Sequence, residues 1–346
     1  MRPTPTSSRG IVAAWLLTCC GLVFLTVVIG GMTRLTHSGL SIVEWQPIVG
    51  AVPPLNDAQW QETFAKYRET PEFRLRNHDM DLAGFKPIFW WEYVHRLMGR
   101  IVGLAFLLPF VYFLARRMLD PELARRLASI LILGGLQGAL GWYMVKSGLV
   151  DDPRVSPLRL ASHLGLAFLI YGLMLWEALT LLNPLRTMVS DAARRRAGLV
   201  VALVFVMVLS GALVAAIRAG FAYNTWPTMD GRWIPDEIML LQPWWSNVVN
   251  NMATVQFMHR VTALVVLGMV LVTWARVRQE PPNDRARSWS RALVVMAFVQ
   301  AVLGIGTLLL HVPLNLAALH QAGAVVLFSC AIGLRHALRP APQLQL

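Results

Sequence analysis

Four of the eight histidines in this chain, His95, His163, His259 and His320, lie inside long apolar segments. An imidazole placed in hydrocarbon is costly and is retained where it has a function. Neutral imidazole is a strong iron ligand, and four rings at matched depth suit two bis-imidazole haem sites, His95 with His163 and His259 with His320. Glu92 adds a different chemistry. It precedes His95 by three residues, so the two side chains share one helix face, where a carboxyl beside a haem suits proton transfer. Each residue type also has a plainer reading. A membrane histidine can simply hydrogen-bond a neighbouring helix, and Glu92 can form an i,i+4 ion pair with Arg96 that makes its charge tolerable.

The elements that must position these groups are legible from composition. The chain has 346 residues, 56% hydrophobic and only 14% charged, where a soluble domain carries about a quarter charged. Runs of about 20 apolar residues are long enough to cross a bilayer. Eight are present, near 11–33, 87–115, 127–147, 158–182, 197–218, 249–275, 292–311 and 314–335. The first has too long an apolar core, Ile11 to Met32, and no small-x-small site after it, so it reads as a span and not a removed signal.

The net charge of +12 invites a nucleic-acid reading, but its placement argues for none. Arg116, Arg117, Arg125 and Arg126 fall in the second connection, Arg186, Arg194, Arg195 and Arg196 in the fourth, and Arg276, Arg278, Arg285, Arg287 and Arg291 in the sixth. Arg335 and Arg339 follow in the tail. Alternate connections carry the charge, which marks the cytoplasmic face and places both termini there. The long connection at 34–86 then faces outward. Cys19, Cys20 and Cys330 all lie in spans, so no structural disulfide is expected in the outer connections.

The chain also reads as one four-span unit written twice. Tyr93-Val94-His95-Arg96 is matched by Phe257-Met258-His259-Arg260, Gln137-Gly138-Ala139-Leu140-Gly141 by Gln300-Ala301-Val302-Leu303-Gly304, and Ala161-Ser162-His163 by Ala318-Leu319-His320. Gly39-Leu40-Ser41 with Trp45 answers Gly220-Phe221-Ala222 with Trp226. The offsets are 259 − 95 = 164, 300 − 137 = 163, 320 − 163 = 157 and 226 − 45 = 181. A four-span repeat keeps its orientation, so the expectation is an all-α membrane protein whose eight transmembrane helices form two pseudo-twofold-related four-helix bundles. The division falls at 1–185 and 186–346. At 1.5 Å per residue all four rings then sit roughly 9–15 Å below the outer surface. The halves differ at one point: Gln256 stands at the place of Glu92.

Small residues, Gly99, Gly103, Gly134, Gly135, Gly138 and Gly141 in the first half and Gly304 and Gly306 in the second, suit either a slot for a flat ring or ordinary close helix packing. Arg34, Arg96, Arg218 and Arg260 near the outer surface are candidate propionate contacts, with snorkelling as the other reading for Arg34 and Arg218. Trp45, Trp60, Trp90, Trp91, Trp226, Trp233, Trp244 and Trp245 read as an interfacial belt. Asn56 is a helix cap with Gln59 at the third position, opening an amphipathic helix that ends before Pro71 and either lies on the membrane or covers the first site. His37, His78 and His311 read as surface or interface residues and His336 as a cytoplasmic tail residue.

Taken together, Gly30-Gly31-Met32-Thr33-Arg34-Leu35-Thr36 with Gly39-Leu40-Ser41, the Glu92-x-x-His95-Arg96 motif and the three further span histidines resemble the haem A synthase family over essentially the whole chain. The resemblance implies oxidation of the C8 methyl of haem O to a formyl group, through a hydroxymethyl intermediate, making haem A for cytochrome oxidase. It implies a substrate haem O at His95 and His163 with Glu92 as the essential acid, and a haem b cofactor whose iron is held by His259 and His320. It also implies a haem O synthase as partner, beside an unidentified electron-transfer partner and membrane lipid. A homo-oligomer is left open, and the arginine-rich inner connections suit a bacterial inner (plasma) membrane. Some members carry a cysteine pair in the first outer connection. This chain has none and resembles the cysteine-free, proteobacterial and mitochondrial branch. The rival reading is a bis-histidine membrane cytochrome b acting only in electron transfer.

Overall fold

The computed structural model describes residues 6–45, 49–149, 153, 155–183 and 189–339. Among them the protein is all-α, with a single isolated bridge between Met229 and Arg232 and no strand. The helices are α1 (Thr6–Leu35), α2 (Asp57–Arg68), α3 (Pro71–Arg76), α4 (Leu82–Ala115), α5 (Pro121–Gly148), α6 (Pro157–Leu182), α7 (Asp191–Ala216), α8 (Asn247–Asn250), α9 (Met252–Val277), α10 (Asp284–Leu309) and α11 (Leu314–Ala337). Eight of these, α1, α4, α5, α6, α7, α9, α10 and α11, are long and apolar enough to cross a membrane.

Several spans begin earlier than hydropathy alone indicates, because a capping side chain satisfies the first free backbone donors. Asp120 accepts from the backbone N–H of Glu122 and Leu123, Ser190 from that of Ala193, and Asn283 from that of Ala286. Arg125, Arg126, Arg194, Arg195, Arg196, Arg285, Arg287 and Arg291 therefore sit in helical turns and not in loops. Acidic residues in the first turns, Glu122, Asp191 and Asp284, offset the unfavourable meeting of arginine with a helix N-terminus. Arg186 lies outside the described residues.

The spans pack in the same cyclic order in each half. α1 meets α4 and α6, and α5 meets α4 and α6; likewise α7 meets α9 and α11, and α10 meets α9 and α11. Between the halves, α1 packs on α11 as α7 packs on α6, and α6 meets α11. A continuous apolar core runs through both, with Leu16, Phe110, Leu127, Phe168, Val204 and Phe328 among its buried members. Cys19, Cys20 and Cys330 are free thiols buried within it.

His336 is not a solvated tail residue. It is only 1% exposed, in the last turn of α11, with Nε2 3.2 Å from Thr180 Oγ1 and its ring edge-on to Trp176. Arg339 seals the same corner by donating to Thr180 Oγ1 and the Asn183 carbonyl.

Between α1 and α4, residues 57–76 pack against an extension of α4. Asp81 caps α4 at Gly84, so the helix starts at Leu82 and projects past the apolar run. Its outer turns present Phe85, Phe89 and Tyr93 to Trp60, Phe64 and Tyr67 of α2, and all six are buried. Trp60 thus belongs to this cluster and not to an interfacial belt, whereas Trp233, Trp244 and Trp245 are exposed. Asn56 caps α2, accepting from Gln59 N–H at 3.0 Å. Pro71 does not only end the run before it. Thr70 accepts from Phe73 N–H and Pro71 opens the short helix α3, as proline does at a first helical position.

Glu72 on α3 is 4% exposed, and its Oε2 has no hydrogen-bond partner; Arg76 is 3.9 Å away. Burial pushes its carboxyl up from the usual range, against the pull of Arg76 and Arg34. The folded loop therefore holds the Glu72 proton more tightly than the unfolded chain does. Docking of α3 is strongest below the ordinary glutamate pKa and weakens as pH rises through the raised folded value. Proteolytic protection of residues 57–80 should fall over that rise in the native sequence and stay flat in Glu72→Gln.

Candidate paired-histidine sites

The four span histidines occupy equivalent places. His163 is six residues into α6 (163 − 157) and His320 six into α11 (320 − 314). His259 is seven into α9 (259 − 252), and His95 thirteen into α4 (95 − 82) because of the outer extension. All four are half-buried.

Each imidazole backs onto a glycine of the next helix. A Cβ at Gly30 would lie 2.8 Å from His95 Nε2, one at Gly141 2.9 Å from His163 Cε1, one at Gly211 3.3 Å from His259 Cε1, and one at Gly304 3.0 Å from His320 Cε1. These glycines keep the repeat's offsets, 30 + 181 = 211 and 141 + 163 = 304. Any side chain there would push its ring inward. The glutamines that marked the repeat do matched work: Gln137 Nε2 donates to the His163 carbonyl and Gln300 Nε2 to the His320 carbonyl, both at 3.0 Å. The same atoms are left buried and unpartnered in each half, namely Gln137 Oε1, His163 Nδ1, Gln300 Oε1 and His320 Nδ1. His163 lies near enough to His95 to interact with it electrostatically, and His259 to His320.

The residues fit a haem. Among the described residues no three His, Cys, Asp or Glu side chains gather as a metal cluster would. What remains is two glycine-backed imidazoles per site, with a buried unpartnered Nδ1 on one of each pair, His163 and His320. This donor set suits an iron porphyrin better than a tetrahedral or oxygen-ligated ion.

Glu92 is 2% exposed and fully engaged. Its Oε2 accepts from Ser41 N–H and Ser41 Oγ, both at 2.7 Å, and from Ile42 N–H at 2.8 Å. Its Oε1 accepts from Arg96 Nε at 3.1 Å and Nη2 at 2.7 Å. The ion-pair reading and a fixed position near His95 therefore hold together. Ser41 Oγ also lies 3.2 Å from the Ile88 carbonyl, so its single proton has two acceptors.

The second half builds the same corner with reversed polarity. Gln256 Nε2 donates to the Ala219 carbonyl at 2.7 Å, which a carboxylate cannot do, while its Oε1 accepts from Arg260 at 3.0 Å. Both arginines lash down the segment that leaves the first helix of their half: Arg96 donates to the carbonyls of Ile42 and Glu44, after α1, and Arg260 to those of Tyr223 and Thr228, after α7. Ile42 and Tyr223 are repeat equivalents (42 + 181 = 223). Arg260 Nε remains buried and unpartnered. Arg34 donates to the Ala215 and Ala216 carbonyls at the end of α7, tying one half to the other. Arg218 sits over the Phe221 ring.

Two asymmetries separate the sites. His259 Nδ1 lies 3.2 Å from Ser210 Oγ on α7, a bond that orients the ring; Ile29 stands at that place in the first half (210 − 181). Conversely, added Cβ atoms at Gly99, Gly103, Gly134 and Gly138 would meet nothing within 4 Å. Their equivalents are Ala263, Leu267, Ala297 and Ala301, and Leu267 and Ala297 pack against the core. The glycine-bearing faces of α4 and α5 are open and exposed, whereas the corresponding faces of α9 and α10 carry side chains. Sequence reasoning names Gly30 and Ser41 as motif residues without giving them a contact, and does not single out Gly211 and Ser210. The repeat offsets could have flagged the two glycines.

The profile of the family described as "COX15-CtaA: Cytochrome oxidase assembly protein" matches residues 13–332. The chain is 54% identical over 332 residues to a protein named "Heme A synthase" from Nitrosospira multiformis, covering 95% of this chain and 93% of that one. It is 50% identical to one of the same name from Nitrosomonas eutropha, covering 94% and 93%. A third of that name, from Parvibaculum lavamentivorans, is 47% identical and covers 94% of each.

Proposed function

The chain belongs to the COX15-CtaA family of cytochrome oxidase assembly proteins, and from that premise we propose that it is a haem A synthase, an oxidoreductase converting the C8 methyl of haem O to a formyl group. One observation carries the assignment of roles. The two histidine pairs share glycine seats and a glutamine support, yet among the described residues only the His95–His163 pair has a buried carboxylate beside it. A catalytic centre and a redox centre built on one template would differ in this way.

We accordingly assign the half at 1–185 to the substrate, with His95 and His163 holding haem O, and the half at 186–346 to a resident haem b held by His259 and His320. The oriented His259 ring and the packed surroundings suit a group that stays; the glycine-lined space suits one that enters and leaves. Bound haem b supplies one-electron redox chemistry. Glu92 holds its charge with donors from Ser41, Ile42 and Arg96. When the Ser41 hydroxyl turns to the Ile88 carbonyl, one Glu92 lone pair is released to take a proton from the reacting edge. The bilayer gives a prenyl tail lateral access through the open face of α4 and α5. An outside redox partner must accept the electrons, and a haem O synthase supplies the substrate. The inner membrane of a bacterium, with both termini cytoplasmic, fits the arginine distribution.

Haem extraction from the purified protein tests the whole reading. Haem A or its hydroxymethyl precursor should accompany one unmodified haem. Two unmodified haems in every preparation would instead favour a cytochrome b that only transfers electrons. A narrower test fills the open space. Gly103→Leu copies the second half's Leu267, and overpacking of about 1–3 kcal/mol should weaken haem O binding about 5- to 150-fold. Resident haem content should not change.

A further inference from the structure

The two sites meet at a glycine pair on α1. Gly30 is the residue against which His95 is seated. Its neighbour Gly31 faces the other half, where an added Cβ would overlap the Gln321 side-chain amide. Gln321 directly follows His320 on α11, and its Nε2 donates to the Val27 carbonyl of α1 at 2.7 Å. That carbonyl is four residues before Gly31 and already accepts its helical hydrogen bond. Gln321 thus lies flat across α1, on the step that seats the other site's imidazole. From His320 to His95 the path is one peptide link, one close contact, one peptide link and one close contact.

This clasp is not part of the repeat. The equivalents of Gln321 and Gly31 are Leu164 (321 − 157) and Ala212 (31 + 181), which form no hydrogen bond of this kind among the described residues. Ordinary packing of α11 on α1 needs no amide here. A polar side chain bonded to a helix backbone within the membrane fixes rotation and register more tightly than apolar contact does.

We propose that Gln321 is a positioning residue that couples the two histidine sites: by locking α11 onto the Gly30–Gly31 step of α1 it makes occupancy at His95 and His163 sensitive to the state at His259 and His320. The inference rests on the two-site reading above. Coupling between sites is reciprocal. Haem O binding should therefore shift the midpoint potential of the resident haem, and reducing that haem should change haem O affinity, by about 5- to 150-fold at the usual strength of such coupling.

The test uses the full-length protein titrated with haem O, in the oxidised and reduced states. In the native sequence the two affinities should differ by that factor. In Gln321→Ala the ratio should fall to near one, with resident haem content and its Soret band unchanged because His259 and His320 are intact. Gly31→Ala, which pushes the amide off α1, should disrupt coupling too. Adding Gly31→Ala to Gln321→Ala should then cost nothing more. Equal affinities in the native protein, or an undiminished ratio in Gln321→Ala, would overturn the coupling. Failure of the two-site reading looks different: the native protein would then bind no second haem at all.

Discussion

The Glu92→Gln protein will form haem A about 10²- to 10⁴-fold more slowly while its resident haem spectrum stays intact. The size follows from removing a positioned acid–base group. The geometry adds a second consequence. Glu92 accepts from five donors on Ser41, Ile42 and Arg96. An amide of the same shape presents two N–H donors to some of them, so at least one buried donor must go unsatisfied, at about 1–3 kcal/mol. The segment after α1 should loosen, which hydrogen exchange at Ser41 and Ile42 reads directly. Ser41→Ala separates the two effects, since it removes a donor and leaves the carboxylate. It should slow product formation yet leave the loop docked through Ile42. Haem A formation at the native rate in Glu92→Gln would reduce that residue to an anchor for Arg96.

Histidine substitutions should divide the molecule along its repeat. His259→Ala or His320→Ala will purify without the resident Soret band and make no product. His95→Ala or His163→Ala will keep that band and also make no product. Each ligand loss leaves one imidazole facing its glycine, so the fold should survive. The seats at Gly211 and Gly304, or at Gly30 and Gly141, are relieved by the smaller side chain. Reduced-minus-oxidised spectra of the four purified variants check this. A resident band lost in His95→Ala and kept in His259→Ala would reverse the assignment of the halves.

Much of this was legible in the chain because a membrane leaves few ways to explain a polar residue. Four lone histidines, and Glu92 beside the first of them, stand out against apolar spans, and the repeated Gln-x-x-x-Gly marks stand at constant spacing. What escaped depended on which helix faces which. Gly30 and Gly211 look like any small residues until His95 and His259 are laid against them. Ser210 is unremarkable until its hydroxyl meets an imidazole on α9. Hydropathy ignores caps and so leaves the arginines of the second, fourth and sixth connections in loops, whereas Asp120, Ser190 and Asn283 extend helices beneath most of them. His336 looked solvated beside Arg335 and Arg339. The partners that bury it, Thr180 and Trp176, come from a span about 160 residues away. α3 was missed because a proline that stops one helix also starts another.

The exchange of contacts between halves, α1 on α11 and α7 on α6, is the arrangement of an isologous homodimer. A single four-span ancestor associating through this surface would have carried two identical pigment pockets. Fusing the copies removed the requirement of identity. One half could then place side chains where the other has glycines and set Ser210 beside its histidine, while the other kept an open face and Glu92. On this view catalysis here descends from broken symmetry in a carrier that once treated both its pigments alike.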